Sequence, residues 1–401
     1  MKRRYFVKKS VLGTTAMAVS TQILGNGLLK KDPNDTINLG VIGTGDRGSG
    51  LISVMNEVEG LQVVACCDTL DFRLAKALAK TNGTAKGYTD YRKLLDQKDI
   101  DAVLIAVPFY LHEEVALAAM EADRHIYCEK TLAKGYDGVQ TLLTKAQGFN
   151  KIFQTGHQYH SSRLYTHAID LIKDGKVGKV TAVNCQWNRN GDWRRQVPEP
   201  SLERAINWRM YREFSGGLTA ELCSHQLDFV NWMTQAMPES AIGTGGIDYW
   251  KDGRETFDNV HLIYTYPNGV RAKFTCLTSN AMDDYKIKVH GDEGTLILDY
   301  NKAWFYPEKS YEKELGEVDG VSGATVNWQQ GLGIPLEIAH KDSSKQALLD
   351  FRDAVWDNST PRSSIITGAK AATCVQMGLD AMLFEKRITL EDLDLPMVLK
   401  A

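Results

Sequence analysis

The chain has 401 residues, 43% of them hydrophobic and 24% charged, which is globular composition and enough length for two ordinary domains. A formal net charge of -3 offers no basic excess of the kind nucleic acid demands, and no repeat or low-complexity tract points to a solenoid or a disordered chain. The seven cysteines, at 66, 67, 128, 185, 223, 276 and 374, are scattered and odd in number, so they form no disulfide framework.

The first residues differ from the rest. Lys2, Arg3, Arg4 and Lys8 make a basic start with paired arginines, followed from Ser10 to Leu29 by an uncharged apolar stretch diluted with glycine and threonine. That stretch is too dilute for a stable membrane span and predicts a twin-arginine-like export signal and linker over 1–34, hence a periplasmic protein. Lys2 stands where serine or threonine usually precedes the arginine pair.

Next comes Ile37 to Gly48, INLGVIGTGDRG, a short β-branched run stopped by Gly43, Gly45 and Gly48. This describes a buried parallel strand turning tightly into a helix whose free N–H groups suit a pyrophosphate. Gly43 permits the turn, Gly45 the close approach of backbone to phosphate, and Gly48 the packing of helix on strand, with Asp46 and Arg47 between them. A second strand, Leu61 to Cys67, ends at Asp68, twenty residues after Gly48, where a carboxylate can accept from the adenosine ribose hydroxyls. Thr69, Leu70, Asp71 and Phe72 intervene before Arg73, so no cation adjoins Asp68 for a 2'-phosphate, and NAD is the expected dinucleotide.

Helices are predicted over 72–80 and 91–96, a buried strand over 102–107 ending at Pro108, a helix over 112–122, and a strand over 125–128 leading to Glu129 and Lys130. A helix over 135–147 and a strand over 152–155 complete the alternation, which gives a doubly wound parallel sheet in a dinucleotide-binding Rossmann domain over 35–156. Beyond it the pattern changes. A helix over 165–174 and a strand over 180–187 precede runs at 259–266, 270–278, 285–290 and 295–300, joined by tight turns such as Pro267-Asn268-Gly269. Residues 157–401 are therefore expected to form an α+β domain with an open, largely antiparallel sheet, covered by helices over 217–234, 345–357 and 369–385.

Three of these stretches together resemble the Gfo/Idh/MocA (glucose-fructose oxidoreductase) family: GTGDRG with Asp68; Cys128-Glu129-Lys130 at a strand end, where the family has EKP; and Ser215 to Asp228, SGGLTAELCSHQLD, where it has a glycine turn, an acid and, four residues on, a histidine. The signal and Gly245 to Asn259 resemble exported members that act on glycosides. Thr131 replaces the family's proline, whose peptide bond from the preceding lysine is usually cis, and Glu221 stands where many members carry aspartate.

The resemblance implies an NAD-dependent oxidoreductase acting on a ring secondary hydroxyl, C3 foremost, of a sugar or glycoside, with Lys130 and His225 as the catalytic pair. Oxidising a hydroxyl requires a base within reach of its proton. His225 can serve near neutral pH, and Glu221, one helical turn before it, can orient it or bind a neighbouring hydroxyl. Pro108, Glu129 and Lys130 lie at the carboxyl edge of the parallel sheet, where ligands bind.

Tyr159, His160 and Arg163 are expected to give the sugar polar contacts. Trp193 is the expected stacking platform, with Trp187, Trp208 and Trp250 as alternatives. Asp192, Arg194 and Arg195 form a polar loop that reaches the pocket or stays at the surface. His157, His160, Glu221 and His225 include metal-ligand types, but their spacing matches no metal signature and hydride transfer needs none, so no metal is expected.

Export implies a tightly held cofactor, since the envelope has no appreciable free NAD pool. The family also contains exported glycosidases, in which a transient C3 ketone acidifies the C2 proton, the C1 substituent leaves, water adds and the ketone is reduced again; this is the alternative reading. A homo-oligomer is expected, through the open face of the second sheet.

Overall fold

The structure is a computed structural model that describes residues 36–83, 85–308, 333–339 and 341–400. The export signal expected over 1–34 lies outside them. The first half forms β1 (Ile37–Ile42), α1 (Asp46–Met55), β2 (Leu61–Cys67), α2 (Asp71–Leu78), β3 (Lys86–Tyr88), α3 (Tyr91–Leu95), β4 (Ala102–Ile105), α4 (His112–Glu121), β5 (His125–Cys128), α5 (Gly135–Ala146) and β6 (Phe153–Thr155). These strands pair in parallel in the order β3-β2-β1-β4-β5-β6. Leu39, Val41 and Leu104 are buried on one face and Ile42, Val103 and Ile105 on the other. Burial on both faces is why these strands read as continuous apolar runs rather than alternating ones. Strand order reverses between β1 and β4, which opens a crevice at their carboxyl ends.

The second half runs α6 (Arg163–Lys173), β7 (Val180–Trp187), the short α7 (Glu203–Ile206), α8 (Ser224–Thr234), β8 (Ser240–Gly246), β9 (Asn259–Thr265), β10 (Arg271–Leu277), β11 (Tyr285–Gly291), β12 (Gly294–Leu298), β13 (Ala303–Pro307), β14 (Ile334–Pro335), α9 (Ser343–Asp357), α10 (Ile365–Leu383), β15 (Ile388–Thr389) and α11 (Met397–Lys400). Its sheet has the order β14-β13-β12-β11-β7-β10-β9-β8-β15. Neighbours are antiparallel apart from the parallel pair β7–β10.

Here the faces alternate: Val260, Leu262 and Tyr264 of β9 are buried while His261 and Ile263 are exposed. Helices α8 and α10 cover the buried face. Gly378 lets α10 sit close, since a Cβ there would lie 2.2 Å from the Tyr264 hydroxyl.

One expectation is corrected, and one strand was not expected. The helix over 343–357 does not cover the second sheet but returns to the first, where Ala347, Leu348 and Phe351 pack with Leu39 and Tyr127, the Phe351 and Tyr127 rings edge to face at 5.8 Å. Strand β8 escaped notice because Gly243, Gly245 and Gly246 break its apolar alternation; at Gly243 a Cβ would meet the Leu262 side chain at 2.4 Å.

Candidate active site

The turn from β1 into α1 is built as its glycines require. Gly43 has φ +89, and a Cβ there would lie 2.6 Å from the Ala106 backbone; one at Gly48 would lie 2.0 Å from the Gly43 carbonyl oxygen. At Gly45 the same direction is open, with the Arg73 guanidinium nearest at 3.7 Å. Backbone alone fits at the first two positions, and the third leaves room for a phosphate to approach. Asp68 closes the cradle: its Oδ2 accepts from Thr44 N at 2.8 Å and Thr44 Oγ1 at 3.1 Å, and its Oδ1 from Leu70 N at 3.0 Å. Arg47 Nε donates to the buried Glu129 at 2.7 Å and its Nη1 to Ser344 Oγ at 3.1 Å, which ties α1 to the end of β5 and to α9. Burial works against the Arg47 charge, but Glu129, Tyr127 and Asp342 together outweigh it and raise the guanidinium above its ordinary value.

From this cradle a cleft of about 910 Å³ runs to the second half. Its lining includes Gly43, Gly45, Asp46, Arg47, Asp68, Pro108, Glu129 and Lys130 from the first half and Glu221 and His225 from the second. Gly48 is buried beneath it.

The expected helix over 217–234 begins instead with a π-helical turn, Thr219–Cys223, before α8. Such a turn frees carbonyls from the regular ladder. Two of them face β5: Lys130 Nζ donates to the Glu221 carbonyl at 2.9 Å and to that of Ala220 at 3.4 Å, and Thr131 Oγ1 donates to Ala220 O at 2.9 Å. The Lys130–Thr131 peptide is cis although threonine replaces proline. On its other side, Thr131 O lies 2.7 Å from His112 Nδ1, whose Nε2 lies 3.0 Å from Val107 O.

The π turn also changes the role expected of Glu221. Its carboxylate accepts from Arg209 Nε at 2.7 Å and lies 3.9 Å from Lys130 Nζ, so it holds the lysine and an arginine rather than orienting His225. Burial would raise this carboxyl, but Arg209 and then Lys130 outweigh it and keep Glu221 below its ordinary value, ionised. Burial pushes Lys130 down, against the pull of Glu221 and Glu129. His225 is driven well below 6.5 by burial, then by the charges of Lys130 and the neighbouring His157, so its imidazole is neutral at pH 7. The rings around it are Tyr159, Trp187 and His157, at centroid distances of 5.3, 5.7 and 6.0 Å.

The expected substrate contacts fall elsewhere. Tyr159 stacks on Tyr165 at 4.2 Å, and His160 stacks on Trp232 at 4.2 Å with its Nε2 2.9 Å from Asp228 Oδ2; both are buried behind the cleft wall. Arg163 lines a separate small depression, and Trp193, at φ +66, turns the loop that follows β7. Of the four tryptophans considered, Trp208 lines the cleft, with the Arg209 guanidinium 4.2 Å over its ring.

His157 is buried with Nδ1 3.2 Å from Thr155 Oγ1. Among the described residues no group of three or more His, Cys, Asp or Glu side chains is placed to hold a metal ion.

Sequence reasoning missed Arg209, Arg204, Ser201, Phe214 and Gln158, which also line the cleft. The density of arginines and aromatics between Trp193 and Phe214 was the available signal.

Two family models match this arrangement: the oxidoreductase family with NAD-binding Rossmann fold over residues 37–157, and the GFO/IDH/MocA C-terminal domain over 165–297. The chain belongs to the Gfo/Idh/MocA oxidoreductases. NAD is accordingly its dinucleotide, and the cradle described above fits it.

Among curated relatives, 2,7-anhydro-N-acetylneuraminate hydratase of Mediterraneibacter gnavus is 34% identical over 211 residues, 53% of this chain and 53% of that protein. Inositol 2-dehydrogenase of Salmonella typhimurium is 30% identical over 201 residues, 49% of this chain and 54% of that one. The match thus spans about half the length of these relatives. A solved structure, levoglucosan dehydrogenase in complex with NADH and levoglucosan, superposes with a TM-score of 0.73 at 17% identity, covering 88% of this chain and 99% of that one. At that identity the likeness shows the fold.

Proposed function

We propose that this member oxidises a secondary ring hydroxyl, at C3, of a sugar or glycoside. The observation that carries the reading is the meeting of Lys130, from the end of β5, with Glu221 and His225, from the π turn and α8, on the cleft that begins at the dinucleotide cradle.

When bound, NAD supplies the hydride acceptor; Gly43, Gly45, Arg47 and Asp68 would hold it. The chain's own groups manage the proton. Neutral His225 accepts it from the reacting hydroxyl without first losing one of its own. Lys130, held by the Ala220 and Glu221 carbonyls, donates from its ammonium to the same oxygen and opposes the negative charge that develops there. Glu221 keeps Lys130 charged in a buried place and fixes Arg209 beside the substrate. Trp208, whose ring carries the Arg209 guanidinium, lines the same part of the cleft and backs that arginine. Relatives named for inositol, levoglucosan and an anhydro-sugar support a polyhydroxylated ring as substrate.

A redox-neutral glycosidase is the second reading, supported by the M. gnavus relative, whose name is that of a hydratase rather than a dehydrogenase. The same two groups would serve: with a ketone at C3, His225 takes the C2 proton and Lys130 steadies the enolate oxygen. Incubating the purified protein with an aryl glycoside and no added NAD separates the two. Keto-sugar in stoichiometry with reduced cofactor supports the dehydrogenase; many turnovers of released aglycone refute it as the main activity. Export to the periplasm and assembly through the open face of the second sheet remain part of this proposal, tested by cell fractionation and by light scattering.

A further inference from the structure

The loop after β7 does more than wall the cleft. It carries tandem arginines whose side chains go to opposite halves of the protein. Arg194 stays with the second half: its Nε reaches Asp252 at 3.0 Å, its Nη1 pairs with Glu203, and Asp252 is held in turn by Arg254 at 2.7 Å. Arg254, 7% exposed, also donates to Asp192 O at 2.8 Å, so the loop is pinned from two directions. Arg195 crosses over: its Nε donates at 3.0 Å to Oδ2 of Asp46, the first residue of α1.

The Arg195 backbone cannot drift far. Its N–H donates to Asn207 Oδ1 at 2.6 Å, and its carbonyl accepts from Asn207 Nδ2 at 3.0 Å, with Asn207 itself buried. Nη1 bonds Trp193 O at 3.2 Å, while Nη2 has no protein hydrogen-bond partner among the described residues.

Position gives this bridge its meaning. Asp46 follows Gly45 at the helix N-terminus where a pyrophosphate is to sit, and Asp46, Arg73 and Arg195 all line the same stretch of cleft. A carboxylate beside a diphosphate is repulsive unless a cation stands between them. Arg195 supplies one, and a guanidinium engaged through Nε keeps a second edge for phosphate oxygen.

We propose that Arg195 is a dinucleotide-binding residue contributed by the second half: it closes over the pyrophosphate by pairing with Asp46, so that the nucleotide leaves only when this clasp opens. The Asp46 carboxyl is held below its ordinary value, first by the hydrogen bond from Arg195, so the pair stays charged across the neutral range. The bridge is part-exposed, with Arg195 at 50% and Asp46 at 80% side-chain exposure, and added salt therefore weakens it.

The test follows nucleotide release rather than turnover. NADH is loaded on the full-length protein, an excess of NAD is added, and the decay of bound-NADH fluorescence gives the dissociation rate, for wild type, Arg195→Ala and Arg195→Lys, at low and high salt. Arg195→Ala should release NADH roughly tenfold faster, as expected for loss of one charge-assisted contact, and Arg195→Lys by less. The wild-type rate should climb with salt and that of Arg195→Ala should respond less. The proposal is overturned if Arg195→Ala releases NADH within twofold of wild type, or if salt speeds both equally. Arg195→Lys, which keeps the cation, and a Tm recorded for each variant keep the comparison decisive should the alanine variant fold poorly. Release from Arg195→Lys as fast as from Arg195→Ala, or without the wild-type response to salt, overturns the proposal.

Discussion

Replacing Glu221 by glutamine isolates the electrostatic half of the site from its backbone half. The Lys130 contacts to the Ala220 and Glu221 carbonyls survive this change, while the charge that lies 2.7 Å from Arg209 Nε and 3.9 Å from the Lys130 ammonium is lost. At an effective dielectric of about 20, a pair at that distance attracts by about 4 kcal/mol, a ceiling that compensating solvation cuts to about 1–2 kcal/mol. Loss of that attraction should cost kcat/KM about tenfold. The sign of the pH effect is fixed: Glu221 raises Lys130, so its removal lets burial and the unopposed Arg209 push the ammonium further down.

The alkaline limb of kcat/KM must then move to lower pH, while the acid limb set by His225 moves little, because Glu221 is not among the charges acting on that imidazole. The assay is kcat/KM against pH for wild type and Glu221→Gln, with Tm recorded to separate misfolding. An alkaline limb that stays put, or moves up, refutes the role given to Glu221.

Other consequences follow from the same geometry. Burial is the chief cause that drives His112, His157 and His225 below their ordinary 6.5. The unfolded chain therefore binds protons first as pH falls, so stability is full above 6.5 and drops below it, by up to about 1.4 kcal/mol per pH unit for each imidazole until its folded-state value is reached. Urea midpoints at pH 7.5 and 5.5 that coincide would contradict this. Gly48→Ala puts a Cβ 2.0 Å from the Gly43 carbonyl oxygen and should cost about 3 kcal/mol in urea unfolding, whereas Gly45→Ala, whose Cβ meets only the Arg73 guanidinium at 3.7 Å, should be nearly neutral in stability and weaken NADH binding instead. Asp68→Ala strands the Thr44 N–H, with an expected loss of about 1–3 kcal/mol in stability and at least a tenfold weaker NADH affinity by fluorescence titration.

How far the sequence announced this molecule depends on the distance over which each signal acts. The cradle was legible because its demands are local: a positive φ at Gly43 and a backbone contact at Gly48 are met by glycine and little else, and Asp68 is one strand away. Lys130 was legible through the family resemblance of Cys128-Glu129-Lys130 together with its place at a strand end on the sheet's carboxyl edge, since the position alone fits a solvated turn pair as well. His160 misled because a histidine next to the last parallel strand looks the same whether it faces a cleft or stacks on Trp232 behind one. Helix α9 misled likewise, since its period reveals an apolar face but not which sheet will receive it.

The partnership of Glu221 lay furthest from view. Spacing alone set it one turn from His225, but the π turn over Thr219–Cys223 changes that geometry, and Arg209, twelve residues upstream, takes the carboxylate. No periodicity encodes such a choice; it is made where the loop after β7 folds back across the cleft. A buried carboxylate commits to the cation that reaches it with the best geometry, and a guanidinium at 2.7 Å outcompetes both an ammonium at 3.9 Å and a neutral imidazole. The candidate site thus draws on two kinds of information: residues near β1, β5 and α8 that local pattern or family resemblance points to, and a long arginine-bearing loop whose contacts exist only once both sheets are in place.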